Sequence, residues 1–255
     1  MIICKNKLYL WREKVDKGKK IKPTIFRKLS NTHYGNPFNS LKKLGFKNSI
    51  LSVFGRVYNS CFAFTYKLNI YPHKNKLLER KKGLTNKQTI HASRYDDSSL
   101  LFLRTLFFYL EPCTDEILLD VGCGKGIVLL AALESSFKEI RGFDHSEYLC
   151  DIANDNCKKY QAKKEYSKSV TVTVESALNY KFQDDETILY FNNPFDEHLS
   201  EKYLDLLKES LLRNNRKIRL ISRAWQGEKI VSEKLDIASI ESHTFWGRKV
   251  VIFKI

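Results

Sequence analysis

The chain has 255 residues, 43% apolar and 13% aromatic, with 11 Gly and 5 Pro; that composition excludes disordered, collagen-like and low-complexity classes. No apolar run reaches the roughly 18 residues that a membrane-spanning helix needs. The net charge of +15 is uneven: residues 1–95 hold 22 Lys and Arg against 3 acids, and residues 96–255 hold 22 against 26. A basic head on a mildly acidic body predicts two parts, a basic extension over 1–90 and an enzymatic domain over 91–255. Such a head suits an anionic partner, whether nucleic acid, acidic protein or lipid surface, and equally a solvated tail. The opening MIICKNKLYLWREK breaks its apolar run at Lys5, Lys7 and Arg12, too early for a secretory core. None of the six cysteines forms a CxxC pair, so a zinc ribbon is not expected and free thiols in a cytoplasmic setting are.

In chain order, Leu41, Leu44, Ile50, Leu51, Phe54, Val57 and Cys61 predict the apolar side of one or two basic helices. Asp97 or Ser98 is placed to cap a helix through LLFLRTLFFYL, ended by Pro112. EILLDV (116–121) reads as a buried parallel strand and GKGIVLLAALESS as the helix after it. EIRGFD (139–144) is a second strand, and Ser146 caps a helix with Leu149, Ile152, Ala153, Cys157 and Tyr160 inside. VTVTVES (170–176) alternates as a third strand, TILYFN (187–192) is a fourth and KIRLIS (217–222) a fifth. Between the last two lies a helix with Leu199, Tyr203, Leu206, Leu207 and Leu211 on one side. Two strand-like runs around Phe245–Gly247 predict a closing antiparallel hairpin. Repeated strand–helix units imply an α/β fold, a doubly wound and mostly parallel sheet. Its ligands bind beyond the carboxyl ends of the strands.

The residues at those ends carry the chemistry. DVGCGKG supplies Asp120, Gly122, Gly124 and Gly126. It lacks the last glycine of a dinucleotide fingerprint and the hydroxyl of a Walker loop. A GxGxG turn behind an acid suits a ligand with an amino-acid end and a nucleoside end, although it also serves as plain turn chemistry. Asp144, 22 residues beyond Gly122, is placed to accept both hydroxyls of a ribose or to sit beside a helix N-terminus. Glu175, Ser176 and Ala177 follow the third strand, where a side chain can bond an adenine amino group. Asn192, Asn193, Pro194 and Phe195 follow the fourth, with amide carbonyls for an amine and a ring to cover the reacting pair. Glu197 and His198, just beyond, are candidate bases or ordinary first-turn residues.

These segments resemble the class I S-adenosylmethionine-dependent methyltransferases over residues 91–255. LLDVGCGKG looks like their first motif, Asp144 like the second, Glu175-Ser176-Ala177 like the third. Asn192–Phe195 is similar to the (Asp/Asn)-Pro-Pro-(Tyr/Phe) fourth motif of nitrogen methylation, with Asn193 in place of the first proline. The nearer resemblance is to a poorly characterised bacterial group with a Tyr-Asn-Pro-Phe version and a tyrosine before the first helix, matched loosely by Tyr95. Protein-lysine methyltransferases share a similar layout. The resemblance implies a Rossmann-like sheet of order 3-2-1-4-5-7-6 and S-adenosyl-L-methionine as cofactor, with no metal. Tyr95, Asp120, Gly122, Cys123, Gly124, Gly126, Asp144, His145, Glu175, Ser176, Ala177 and Asn193 would hold the cofactor. Asn192, Asn193, Pro194 and Phe195 would border the methyl group and its acceptor. It points to a nitrogen acceptor, with a protein side chain ahead of RNA or a small molecule, and to a head that covers the cofactor. A non-catalytic binding module and a nicotinamide-dependent oxidoreductase are the rival readings.

Overall fold

The computed structural model describes residues 37–71 and 98–255, with side chains from residue 50 onward. Tyr95, Asp97 and the 90/91 boundary lie outside the described residues. Helix α1 (Pro37–Tyr66) and helix α2 (Leu100–Leu110) precede β1 (Ile117–Val121), α3 (Ile127–Leu133), β2 (Glu139–Asp144), α4 (Glu147–Lys164) and β3 (Ser169–Val174). Then come β4 (Ile188–Asn192), α5 (Glu197–Arg213), β5 (Arg219–Arg223), a 3-10 turn (Gln226–Ile230), α6 (Val231–Lys234), β6 (Ser239–Phe245) and β7 (Arg248–Lys254).

The seven strands lie in the order β3-β2-β1-β4-β5-β7-β6. β1 pairs in parallel with β2 on one side and β4 on the other. β7 runs antiparallel between β5 and β6. All five residues of β1 are buried, as its unbroken apolar run demands of a central strand covered on both faces. β3 is mostly exposed and sits at the edge, where alternation suffices. The chain leaves β1 in opposite directions toward β2 and β4, and a crevice opens at the carboxyl end of such a reversal.

Period two along the strands sorts the core into two layers. Leu118, Ile140, Tyr190, Ile221 and Ile252 pack with α2, α3 and α4. Leu119, Phe143, Phe191, Leu220 and Phe253 pack with α5 and Trp225. Ser146 caps α4 as expected, its hydroxyl accepting from the Leu149 amide. Cys150 and Cys157 share the buried side of that helix, while Ile152 is half-buried. α5 buries Tyr203, Leu204 and Leu207, with Leu199, Leu206 and Leu211 only partly covered.

Two expectations are corrected. Ile50, Phe54, Val57 and Cys61 of α1 are exposed; the buried side is Gly55, Asn59, Phe62 and Ala63. Close approach selects that side: a Cβ at Gly55 would stand 2.7 Å from Ser99 Oγ. Ser98 does not cap α2, and the other candidate, Asp97, lies outside the described residues. Ser99 holds the N-cap position without a side-chain bond. The amide of Asn59 does the work from α1, its Oδ1 accepting from Leu100 N at 3.0 Å and its Nδ2 donating to Ser98 O at 3.2 Å.

Candidate cofactor and acceptor site

The turn after β1 is built from left-handed glycines: φ is +74° at Gly122, +53° at Gly124 and +79° at Gly126. Side chains resist that region, so glycine permits the tight path from strand to helix. Gly126 N donates to Cys123 O at 2.9 Å, and Gly126 then becomes the N-cap of α3. Cys123 N donates to Phe143 O at 2.9 Å, tying the loop to β2. The loop closes against β2 only because residue 142 is glycine; a Cβ there would stand 2.9 Å from Cys123 Cβ.

Asp144 ends β2 and reaches back into the loop. Its Oδ2 accepts from Gly124 N at 3.0 Å and its Oδ1 from Ser146 N at 3.0 Å. His145, about one-third exposed, brings Nδ1 to 3.3 Å of Oδ1. Each carboxylate oxygen thus has a protein donor and keeps a second lone pair for a hydroxyl. Burial raises the Asp144 pKa above its ordinary value, while His145 and the two amides pull it down.

Asp120 lies deeper. It is 1% exposed, and among the described residues its Oδ2 has no hydrogen-bond partner. Burial, and then the Asp144 charge, push its carboxyl well above the usual range. Tyr190 sits across from it in the sheet register, also fully buried, with a hydroxyl that has no hydrogen-bond partner among the described residues. Among the described residues the Ser98 and Ser99 hydroxyls before α2, also buried, have no partner either. Burial pushes the Tyr190 hydroxyl up to about 12, against the pull of the Arg223 and Arg248 charges. Buried polar atoms left unpaired are costly and mark a place where a ligand completes the bonding.

The fourth-strand turn meets the first. A Cβ on Gly122 would stand 2.9 Å from Pro194 Cβ, so the proline rides directly on the glycine loop. Asn193 takes φ +49°, and its amide donates to Arg223 O at 3.1 Å. Asn192 Oδ1 accepts from Arg223 at the end of β5. The Phe195 ring does not cover a reacting pair. It is 4% exposed and packs on Tyr203 and Trp225 beneath α5, bracing the turn from below.

The third-strand turn is placed differently by its three residues. Glu175 N donates to Asp144 O at 3.0 Å, joining the turn to the second strand. Its Oε1 accepts from Ser176 N at 2.8 Å. Glu175 also lines a cavity of about 200 Å³ with Asn179 and Tyr180. Ser176 is half-buried, and Ala177 points into the core. Glu197 and His198 are exposed in the first turn of α5, whose cap is Asp196, accepting from Leu199 N at 3.0 Å. They are first-turn residues here rather than groups brought to the cleft.

Several residues at the site were not singled out in the sequence. Lys125 is fully buried, donating to Asn69 Oδ1 at 3.3 Å and to the carbonyl of Tyr71. Asn156 in α4 donates to Lys125 O at 3.0 Å and to Asn69 O at 3.2 Å, and accepts from Asn69 N at 2.8 Å. This knot fixes the stretch after α1 onto the glycine loop. A lysine between glycines is the one local signal for it. Tyr190 was legible as two residues before Asn192 on the same strand face. Arg223 and Arg248 carried no signal.

The arrangement fits the implied cofactor. The unpaired Asp120 oxygen suits a cationic amino-acid end, the glycine amides a carboxylate, and the remaining lone pairs of Asp144 a ribose. Among the described residues no three His, Cys, Asp or Glu gather as a metal site, and no helix is long and apolar enough to cross a membrane.

The family model described as a methyltransferase domain matches residues 118–226. No curated protein matches the sequence. Among solved structures, the methyltransferase domain of bacterial CtHen1-C is similar at 18% identity and TM-score 0.49, over 61% of this chain and 97% of that one. An RNA methyltransferase from Salinibacter ruber in complex with S-adenosyl-L-homocysteine is similar at 15% identity and TM-score 0.42, over 60% and 90%. An SAM-dependent O-methyltransferase from Thermotoga maritima is similar at 14% identity and TM-score 0.47, over 63% and 67%. Residues 118–226 match the methyltransferase-domain family, and they lie within a seven-stranded sheet of order β3-β2-β1-β4-β5-β7-β6, the order that the resemblance to class I S-adenosylmethionine-dependent methyltransferases implies.

Proposed function

We propose that the acceptor is a nitrogen, presented at the Asn192–Phe195 turn to a cofactor held by Asp120, the Gly122–Gly126 loop, Asp144 and the Glu175 turn. The observation that carries this is the contact of Pro194 with the glycine loop, which puts the fourth-strand turn beside the cofactor's cradle. S-adenosylmethionine supplies a methyl already activated on a sulfonium, so one carbon–sulfur bond breaks, one carbon–nitrogen bond forms, and a thioether and a proton leave.

The residues have mainly to position. Asn192 holds its carbonyl to Arg223, so Asn193 is the amide left to accept from an amine and aim its lone pair. Its left-handed backbone, pinned by the bond to Arg223 O, fixes the direction. Phe195 and Trp225 hold the turn from beneath and keep water from that side. Alignment of this kind can supply about 7–11 kcal/mol of barrier lowering. Nothing in the turn supplies a strong base, which suits an amine that arrives neutral. The sequence weighs toward a protein side chain as acceptor. The cleft beside the turn, about 440 Å³, is the size of a small-molecule site and weighs toward a compact one.

Calorimetry with S-adenosylmethionine tests the cofactor half: wild type binds, and Asp144→Ala weakens binding at least tenfold. Absence of binding by wild type overturns the proposal. Labelled cofactor offered with amine and alcohol acceptors tests the nitrogen half, with label expected on amines and lost in Asn193→Ala.

A further inference from the structure

Helix α1 carries two usable sides, and the domain packs against one of them. Gly55, Asn59, Phe62 and Ala63 are buried. Asn59 is bonded to Ser98 and Leu100, and the Phe62 ring lies 5.1 Å from that of Tyr160 in α4. These contacts hold the helix against α2 and α4. Ile50, Val53, Phe54, Val57, Cys61 and Phe64 are exposed instead. At 3.6 residues per turn those six fall within about 100° of one another, roughly opposite the packed side. The stripe they form is about 21 Å long at 1.5 Å per residue. Phe54 is 65% exposed and Phe64 83%. A single exposed apolar residue needs no explanation, whereas a continuous apolar patch marks an interaction surface.

The charge of α1 says what that surface meets. Its sequence includes Lys42, Lys43, Lys47 and Arg56 and no Asp or Glu, and the exposed Lys67 follows it. Residues 1–95 as a whole hold 22 Lys and Arg against 3 acids. A second copy of α1 would set cations against cations, whereas paired helices are registered by opposite charges. An anionic partner is complementary. Nucleic acid would satisfy the cations but leave Ile50, Val53 and Val57 in water. A basic helix with a Phe-bearing apolar face is the composition of helices that lie in the plane of a membrane interface, and about four to eight Lys and Arg on such a helix suit acidic headgroups. With its other side packed on the domain, α1 offers a shallow strip, which suits a planar surface better than a groove that must take in the helix.

We infer that α1 seats on an anionic lipid bilayer through Ile50, Val53, Phe54, Val57, Cys61 and Phe64, with the positive charge of the helix drawn to the headgroups. The apolar side chains enter the boundary between headgroups and acyl chains, and the acidic lipids supply the attraction. The helix lies on the bilayer rather than through it, because its other side is held by α2 and α4. Ser52, on that packed side, lines the cleft of about 440 Å³, so one helix separates the cleft from the bilayer.

The test is co-sedimentation of the full chain with phosphatidylcholine vesicles, with and without phosphatidylglycerol. Wild type is expected to bind the phosphatidylglycerol vesicles about tenfold more tightly than the neutral ones. Phe54→Ser/Phe64→Ser is expected to lose about tenfold in vesicle affinity. Its melting temperature should stay within about 2 °C of wild type, because both side chains are exposed. Lys42→Gln/Lys43→Gln/Lys47→Gln is expected to lose most of the preference for phosphatidylglycerol. A polarity-sensitive dye on Cys61, in Cys4→Ser/Cys113→Ser protein, should shift to the blue on vesicle addition, a readout with both phenylalanines in place. Failure of wild type to bind phosphatidylglycerol vesicles overturns the inference, as does unchanged binding by the phenylalanine variant or bound protein whose Cys61 dye does not shift. Dimerisation in the ultracentrifuge without lipid, lost in the phenylalanine variant, overturns it in favour of a second copy. Binding of an acidic Leu/Glu helical peptide tighter than that of the vesicles, lost in the same variant, overturns it in favour of a protein partner.

Discussion

Gly122→Ala probes the junction between the two halves of the site. Two separate costs are expected. The first is conformational: Gly122 has φ +74°, and a side chain in that region costs about 1–2 kcal/mol. The second is steric: the new Cβ would stand 2.9 Å from Pro194 Cβ, and a proline ring in a tight turn has no rotamer to swing away. For a domain of this size each kcal/mol lowers the melting temperature by roughly 2–4 °C. The conformational cost alone gives a drop of about 2–8 °C, and the clash adds to it. The two costs separate in the Pro194→Gly background, where the clashing carbon is gone. There Gly122→Ala retains only its conformational cost, so the double-mutant cycle shows a coupling of at least about 0.5 kcal/mol. Cofactor affinity in calorimetry should fall at least tenfold in Gly122→Ala and recover in part in the double variant. Equal melting losses in both backgrounds would refute the contact between the glycine loop and the fourth-strand turn.

Other expectations follow from the same structure. Asp120 keeps its proton to a higher pH than an ordinary carboxyl because burial and Asp144 oppose its charge. A cationic ligand group restores the charge, so cofactor binding should weaken as pH falls through that raised range and should release a proton within it. Calorimetric heats that vary with the buffer's ionisation enthalpy, and cease to vary in Asp120→Asn, are the expected sign. Arg141 is 6% exposed on its side chain and bridges Glu139 at 2.8 Å and Asp185 at 2.5 Å. Arg141→Met removes one of the two guanidinium groups beside buried Glu186, which keeps Arg216 and the Gln183 amide, and should cost about 1–3 kcal/mol by chemical denaturation. Asn156→Ala unties residues 69–71 from the glycine loop, at about 1–3 kcal/mol, with faster amide exchange at Asn69. Burial pushes the Cys157 thiol up to about 12, and Cys123 is raised by the Cys150 thiol beside it and by burial. Alkylation near neutral pH should therefore label the exposed Cys61 and Cys113 and spare Cys123 and Cys157 until the protein unfolds.

The strands and most helices were legible because burial leaves a local trace. ILLDV runs apolar without a break because β1 is covered on both faces, and SVTVTV alternates because β3 is an edge. The glycine loop was legible for a related reason: a left-handed turn admits few other residues, so its conformation is written in composition. α1 was misread because its apolar periodicity does not lie on its packing face. Gly55 and Asn59 face α2 for close approach and for capping, neither of which raises hydrophobicity.

Sequence alone determined which segments form the sheet, where the first, second and fourth strands stop, and that Asp120, Asp144 and the Asn192–Phe195 run stand at those stops; the third and fifth strands end at Val174 and Arg223 instead of at residues 176 and 222. Local propensity and burial period act over a few residues, and those suffice for that much. Only the tertiary structure decided who meets whom: Pro194 against Gly122, Asn59 over the start of α2, and Lys125 held by residues 69–71. The same is true of Arg223 and Arg248, 25 residues apart in sequence yet lining one cleft beside Asn193. Partners of that kind are set by strand order and register across the sheet, and no short stretch of chain contains them.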